Sequence, residues 1–80
     1  MGVYEAVKMR IMELCEREKI TINKLATESG VARSSLKNIL YGKSKNPGIV
    51  TLKMLCDGLN VSLVEFFDSP LFAGLEQELC

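Results

Sequence analysis

ITINKLATESGVARSSLKNILYG, residues 20–42, is the stretch whose reading decides the fold. It divides into two short helical segments joined by a tight turn at Ser29-Gly30-Val31. Placed at about 100° per residue, the second segment, from about Ala32 to Tyr41, separates into two arcs. Arg33, Ser34, Lys37, Asn38 and Tyr41 share the polar arc, whereas Leu36, Ile39 and Leu40 occupy the opposite one. A helix packs through its apolar arc alone, so the polar arc is free to face another molecule. Every residue on it can hydrogen-bond. Gly30 stands where the first helix must stop and reverse, a position that favours a left-handed backbone and hence no Cβ. Ala26, four residues earlier, lets the two helices approach, and Leu25 and Val31 supply apolar contacts on either side of the junction.

Two short helices with this turn are the outline of a helix-turn-helix. The chain resembles the phage-repressor and Cro type of helix-turn-helix, also known as xenobiotic-response-element-type regulators. The residues that carry the resemblance are Lys24-Leu25-Ala26, Ser29-Gly30-Val31, Ile39-Leu40-Tyr41-Gly42-Lys43, Asn46-Pro47 and Leu59-Asn60-Val61-Ser62-Leu63, in one register. Each fragment is weak alone; their order and spacing together are specific. The resemblance implies an all-α fold, a compact five-helix repressor-like DNA-binding domain over residues 1–67, followed by a short C-terminal tail over 68–80.

It also implies double-stranded DNA as the partner. Arg33, Ser34, Lys37 and Asn38 are then the candidate base-reading residues, because Arg can engage both acceptors of a guanine edge, Asn can pair with adenine, and Lys and Ser reach bases or backbone. Candidate phosphate contacts are Thr21, Asn23 and Lys24 at the start of the first motif helix and Tyr41 at the end of the second. Lys43, Lys45 and Asn46 join them from the following loop, where any surface loop would also carry lysines. Four positions depart from the family. Ile22 stands where Gln commonly holds a phosphate. Cys15 and Leu40 replace an Arg and Glu that often form an ion pair, and a semi-buried pair is readily exchanged for an apolar contact. Ala32 replaces a capping Ser or Thr, at a cost of about 1 kcal/mol.

The rest of the chain bounds the reading. Eighty residues make one domain at most, and nearly half of them are apolar with few Gly or Pro, as a folded helical chain requires. No apolar run approaches the ~20 residues that span a bilayer, and no signal-peptide pattern is present, so a cytoplasmic location is expected. Three cysteines, Cys15, Cys56 and Cys80, are widely spaced with no His in the chain, which argues against zinc. Cys15 and Cys56 fall on apolar faces and read as small buried hydrophobes. No cofactor is implied.

Val3, Val7, Ile11, Leu14 and Cys15 recur at helical spacing and predict an amphipathic helix from about Val3 to Arg17. Its charges, Arg10 among them and Glu13 with Arg17 at i,i+4, read as a solvated face. Thr21 is a predicted N-cap. A fourth helix is expected from Ile49 to Leu59, with Asn60 supplying a left-handed stop. Ser62-Leu63-Val64-Glu65 matches a capping box for a short fifth helix through Phe67. Beyond it Leu71, Leu75 and Leu79 recur at i,i+4 spacing. They suit either a cover for the chain's own core or, with Phe66 and Phe67, a dimerisation surface; Gly74 weakens a short helix there.

The net charge is zero, but its distribution is uneven. From Lys19 to Lys53 seven basic residues face one acid, Glu28, whereas from Asp57 onward there are only acids. A basic region that coincides with the helix-turn-helix is the expected footprint of phosphate attraction. The sequence thus points to a sequence-specific transcriptional regulator, a repressor acting as a homodimer on a two-fold operator. A helical adaptor or antitoxin-like module that holds a protein partner is the alternative. An enzyme has no support, since no carboxylate pair, His or activated Cys sets up a reaction.

Overall fold

Helix α1 spans Val3–Glu18 and turns Val7, Ile11, Leu14 and Cys15 inward. The computed structural model describes residues 1–42 and 46–77, and the remaining elements are α2 (Ile22–Ser29), α3 (Arg33–Leu40), α4 (Ile49–Gly58), α5 (Leu63–Phe67) and a 3-10 turn, Pro70–Phe72. Among the described residues every regular element is helical, as expected. Element ends follow local chemistry. Lys19, left-handed at φ 55°, closes α1 while the Ile20 N–H reaches back to the Cys15 carbonyl at 3.0 Å. Asn60, at φ 61°, ends the turn after α4 as its short amide side chain allows. Ser62 Oγ accepts from the Glu65 N–H at 3.0 Å and starts α5.

The core is one cluster to which every α-helix contributes. Ile11, Leu14, Leu25, Leu36, Leu55 and Phe66 are wholly enclosed in it. Helix α2 packs on both α3 and α4. Its approach to α4 is governed by Gly58, where an added Cβ would lie 2.9 Å from Ser29 Cβ and 3.1 Å from Ser29 Cα. No side chain fits between those backbones.

Several expectations are corrected. Arg10 does not belong to a solvated face: it is 8% exposed, and its Nε and Nη2 donate to the carbonyls of Phe66 and Glu65, each at 2.8 Å, while Nη1 meets Glu13. A planar fork of donors is suited to the two adjacent carbonyls at the end of α5, of which Glu65 O also accepts from the capping Asp68 N–H at 3.2 Å. Arg17 pairs with Glu18 and Glu65 and not with Glu13. Only half of the capping box forms, because the Glu65 carboxylate is drawn to Arg17 Nη2 at 3.1 Å. The leucine stripe after α5 does not lie on a helix: Pro70 opens a single 3-10 turn, Gly74 takes φ 68°, and the Glu76 N–H bonds the Met1 carbonyl at 3.1 Å. The 3-10 turn packs against α1. Leu79 lies outside the described residues.

Two substitutions test this arrangement. Gly58→Ala should lower stability by about 1–3 kcal/mol through overpacking, although in an open helix the same change gains up to about 1 kcal/mol. A urea midpoint that rises or stays put would show that α2 and α4 separate freely. Arg10→Met should cost about 1–3 kcal/mol, the penalty for leaving the buried Phe66 carbonyl unpaired; an unchanged midpoint would assign the holding of α5 to Phe66 packing alone.

Candidate nucleic-acid interface

The first motif helix begins at Thr21, whose Oγ1 accepts from the Lys24 N–H at 3.1 Å, as the sequence predicts. That bond uses the oxygen and leaves the hydroxyl proton available to an outside acceptor such as a phosphate. The helix ends at Gly30, left-handed at φ 76°, with its N–H on the Ala26 carbonyl at 3.0 Å. Ser29 fixes the turn beyond what the glycine does, its Oγ donating to Ala26 O and accepting from Val31 N, both at 3.3 Å. The direction in which α3 leaves is therefore set by three hydrogen bonds within six residues.

Helix α3 divides as its sequence requires. Leu36, Ile39 and Leu40 are buried, while Arg33, Ser34, Lys37, Asn38 and Tyr41 are exposed on the other side, Tyr41 to 67%. Among the described residues neither Arg33 nor Lys37 has a carboxylate partner, so both charges project outward uncompensated. Lys24 differs, being held to Glu28 at 3.1 Å. Asn23 is exposed beside it. The far end of α3 is anchored by Tyr4, whose hydroxyl donates to the Ile39 carbonyl at 2.6 Å across 35 positions of sequence. Nothing in the local pattern around Tyr4 marks that role.

Where α3 meets the start of α4, a polar cleft of about 210 Å³ lies between Ser35, Asn38, Asn46, Gly48 and Thr51. It brings Asn38 and Asn46 together from separate predicted groups. Ser35 and Thr51 were missing from the candidate set; as hydroxyl residues next to Ser34 and at the first turn of α4, they offered only their type as a signal. Ala32 and Gly48 give α3 and α4 no side-chain cap, so the first amides of both helices lack a side-chain acceptor among the described residues. Free amides at a helix start suit an anion. Lys43 and Lys45 lie outside the described residues.

The residues assigned to dimerisation scatter. Phe66 is fully enclosed by its own chain and stacks edge-on with Phe67 at 5.0 Å, so it belongs to the core and offers no surface to a partner. Phe67 is partly exposed, and Leu71 and Leu75 are half-buried. Burial pushes the thiols of Cys15 and Cys56 up, which keeps both un-ionised and inert. Among the described residues no group of three or more His, Cys, Asp or Glu side chains could hold a metal ion. No helix there is long and apolar enough to cross a membrane.

Comparison with known proteins agrees with this geometry. A model of the Cro/C1-type HTH DNA-binding domain matches residues 10–70. The HTH-type transcriptional regulator SlrR of Bacillus subtilis (strain 168) is 43% identical over 61 residues, covering 75% of this chain and 40% of the relative. The HTH-type transcriptional repressor RghR of the same organism is 35% identical over 57 residues, covering 71% of this chain and 42% of the relative. The chain thus spans well under half the length of these curated relatives. Its fold superimposes on the crystal structure of the prophage Lp1 protein 11 with a TM-score of 0.80 and 34% identity, over 94% of this chain and 100% of that one. With a family model covering most of its length and the motif helices built as that family requires, this chain belongs to the Cro/C1-type helix-turn-helix DNA-binding proteins, a non-enzymatic class of transcriptional regulators.

Proposed function

We propose that this chain is a cytoplasmic, sequence-specific repressor that binds a two-fold DNA operator as a homodimer. The observation that carries the reading is the outward face of α3, where Arg33 and Lys37 stand exposed and unpaired among the described residues, with Ser34 and Asn38 beside them. Arg33 and Asn38 read base edges in the major groove, and Ser34 and Lys37 reach bases or the adjoining backbone. Thr21, Asn23, Lys24, Tyr41 and Asn46, with Lys43 and Lys45, hold phosphates and set the register. A repressor role is supported by the names of the two bacillary relatives, one a transcriptional regulator and one a repressor.

Selection of bound sites from a random duplex pool tests the reading directly. The expected product is a two-fold sequence, and Arg33→Ala or Asn38→Ala should flatten the preference at defined positions by about 1–3 kcal/mol each. A preference unchanged in both variants would move base reading off this face. Salt separates the phosphate contacts from the base contacts: Lys43→Ala and Lys45→Ala should each reduce the slope of log K against log salt by about 0.9 and weaken all duplexes alike. Absence of any duplex affinity would favour a helical adaptor or antitoxin-like module.

A further inference from the structure

The side of α1 that faces away from the core is neither polar throughout nor random. Met9 and Met12 stand on it 43% and 46% exposed, and with Leu40 and Leu71 they line an open trough of about 440 Å³. Glu5, Lys8 and Glu16 share this side at helical spacing, and Lys19 continues the spacing at the left-handed C-cap. Among the described residues none of the four has an ion-pair partner, and Lys8 only rests over the Tyr4 ring at 5.7 Å. The other charged side chains of the helix, Arg10, Glu13, Arg17 and Glu18, are all engaged.

Position and sign along this stripe follow a rule. Glu5, Lys8, Met12, Glu16 and Lys19 are separated by 3, 4, 4 and 3 residues, a spacing symmetric about Met12. The charges are antisymmetric about the same point: acid and base on one side answer base and acid on the other. A two-fold axis perpendicular to a helix at Met12 maps each position onto its mirror in an antiparallel copy. Glu5 then faces Lys19, Lys8 faces Glu16, and Met12 meets Met12. Met9 falls between Met12 and Glu16 of the second copy. Every charge meets its opposite in this register, whereas a parallel alignment sets each against its like.

We propose that α1 is the self-association surface of this protein, pairing antiparallel with α1 of a second copy about an axis at Met12. An isologous contact needs a surface complementary to itself, and this stripe has that property in the sign of its charges. Methionine suits the centre, since its unbranched thioether fits an irregular apolar trough. The exposed charge pairs add orientation and register more than affinity. The inference deepens the homodimer reading above, but the pairing is measured without DNA, so its failure leaves DNA binding untouched.

Sedimentation velocity of the full chain over a concentration series tests it with two charge variants. Lys8→Glu with Lys19→Glu makes the stripe wholly acidic; Glu5→Lys with Glu16→Lys makes it wholly basic. Each variant alone should self-associate about tenfold or more weakly than the parent, because every facing pair becomes like-charged. An equal mixture of the two should recover association as a heterodimer. Circular dichroism and the thermal midpoint confirm that both variants are folded, since Glu5, Glu16 and Lys19 are exposed and Lys8 is half-buried with no ion pair among the described residues. The proposal is overturned if the parent chain stays monomeric throughout, if folded variants self-associate as the parent does, or if their mixture fails to pair.

Discussion

Everything that presents α3 to the outside depends on how closely α2 lies against α4. The contact is a backbone one: Gly58 of α4 faces Ser29 and Leu25 of α2 with no room for a Cβ between them. Leu25 is thereby enclosed, and Ser29 is held where its hydroxyl can bond both Ala26 and Val31. Ser29 thus serves two contacts at once. It packs against the neighbouring helix on one side and shapes the turn that launches α3 on the other, so the interface inherits its direction from a packing constraint.

The resulting interface is rigid at its base and chemically unsatisfied at its edge. Turn hydrogen bonds fix the start of α3 and Tyr4 fixes its end. The charges and amides that project from this frame have few partners in the chain itself. Folding would ordinarily remove such groups by capping or pairing, and α2 shows both devices in Thr21 and in Lys24 with Glu28. On α3 the uncapped first amides and, among the described residues, the unpaired Arg33 and Lys37 lie together on the second motif helix, where the acceptors of a ligand can reach them.

What the sequence made legible was whatever nearest neighbours decide. Thr21, Gly30, Asn60 and Ser62 each announce a helix end within four residues, and all four behave as their chemistry requires. The two arcs of α3 follow from period alone. Contacts between distant segments were not legible. Arg10 looks like any charge on a helix until the end of α5 is placed beside it, and Tyr4 looks like any partly buried aromatic until Ile39 is. Gly58 reads locally as a poor helix former; only the neighbouring backbone explains it. The capping box and the leucine stripe misled for a related reason, because Arg17 competed for Glu65 and Pro70 redirected the chain before a helix could propagate.

Arg10 carries a consequence for the cohesion of the chain as a loop. Its bonds to Phe66 and Glu65 join residues 56 and 55 positions apart, so they close most of the polypeptide into a ring. Closing a loop of that length costs roughly 3–4 kcal/mol beyond a constant. A hydrogen bond from a charged donor contributes about 1.5–3 kcal/mol, so one such bond falls short of the closure and two are comparable to it. Alongside Phe66 packing, the hydrogen-bonded part of that closure thus asks for a donor that reaches both carbonyls together, which the planar guanidinium does and the compact ammonium of a lysine is poorly shaped to do.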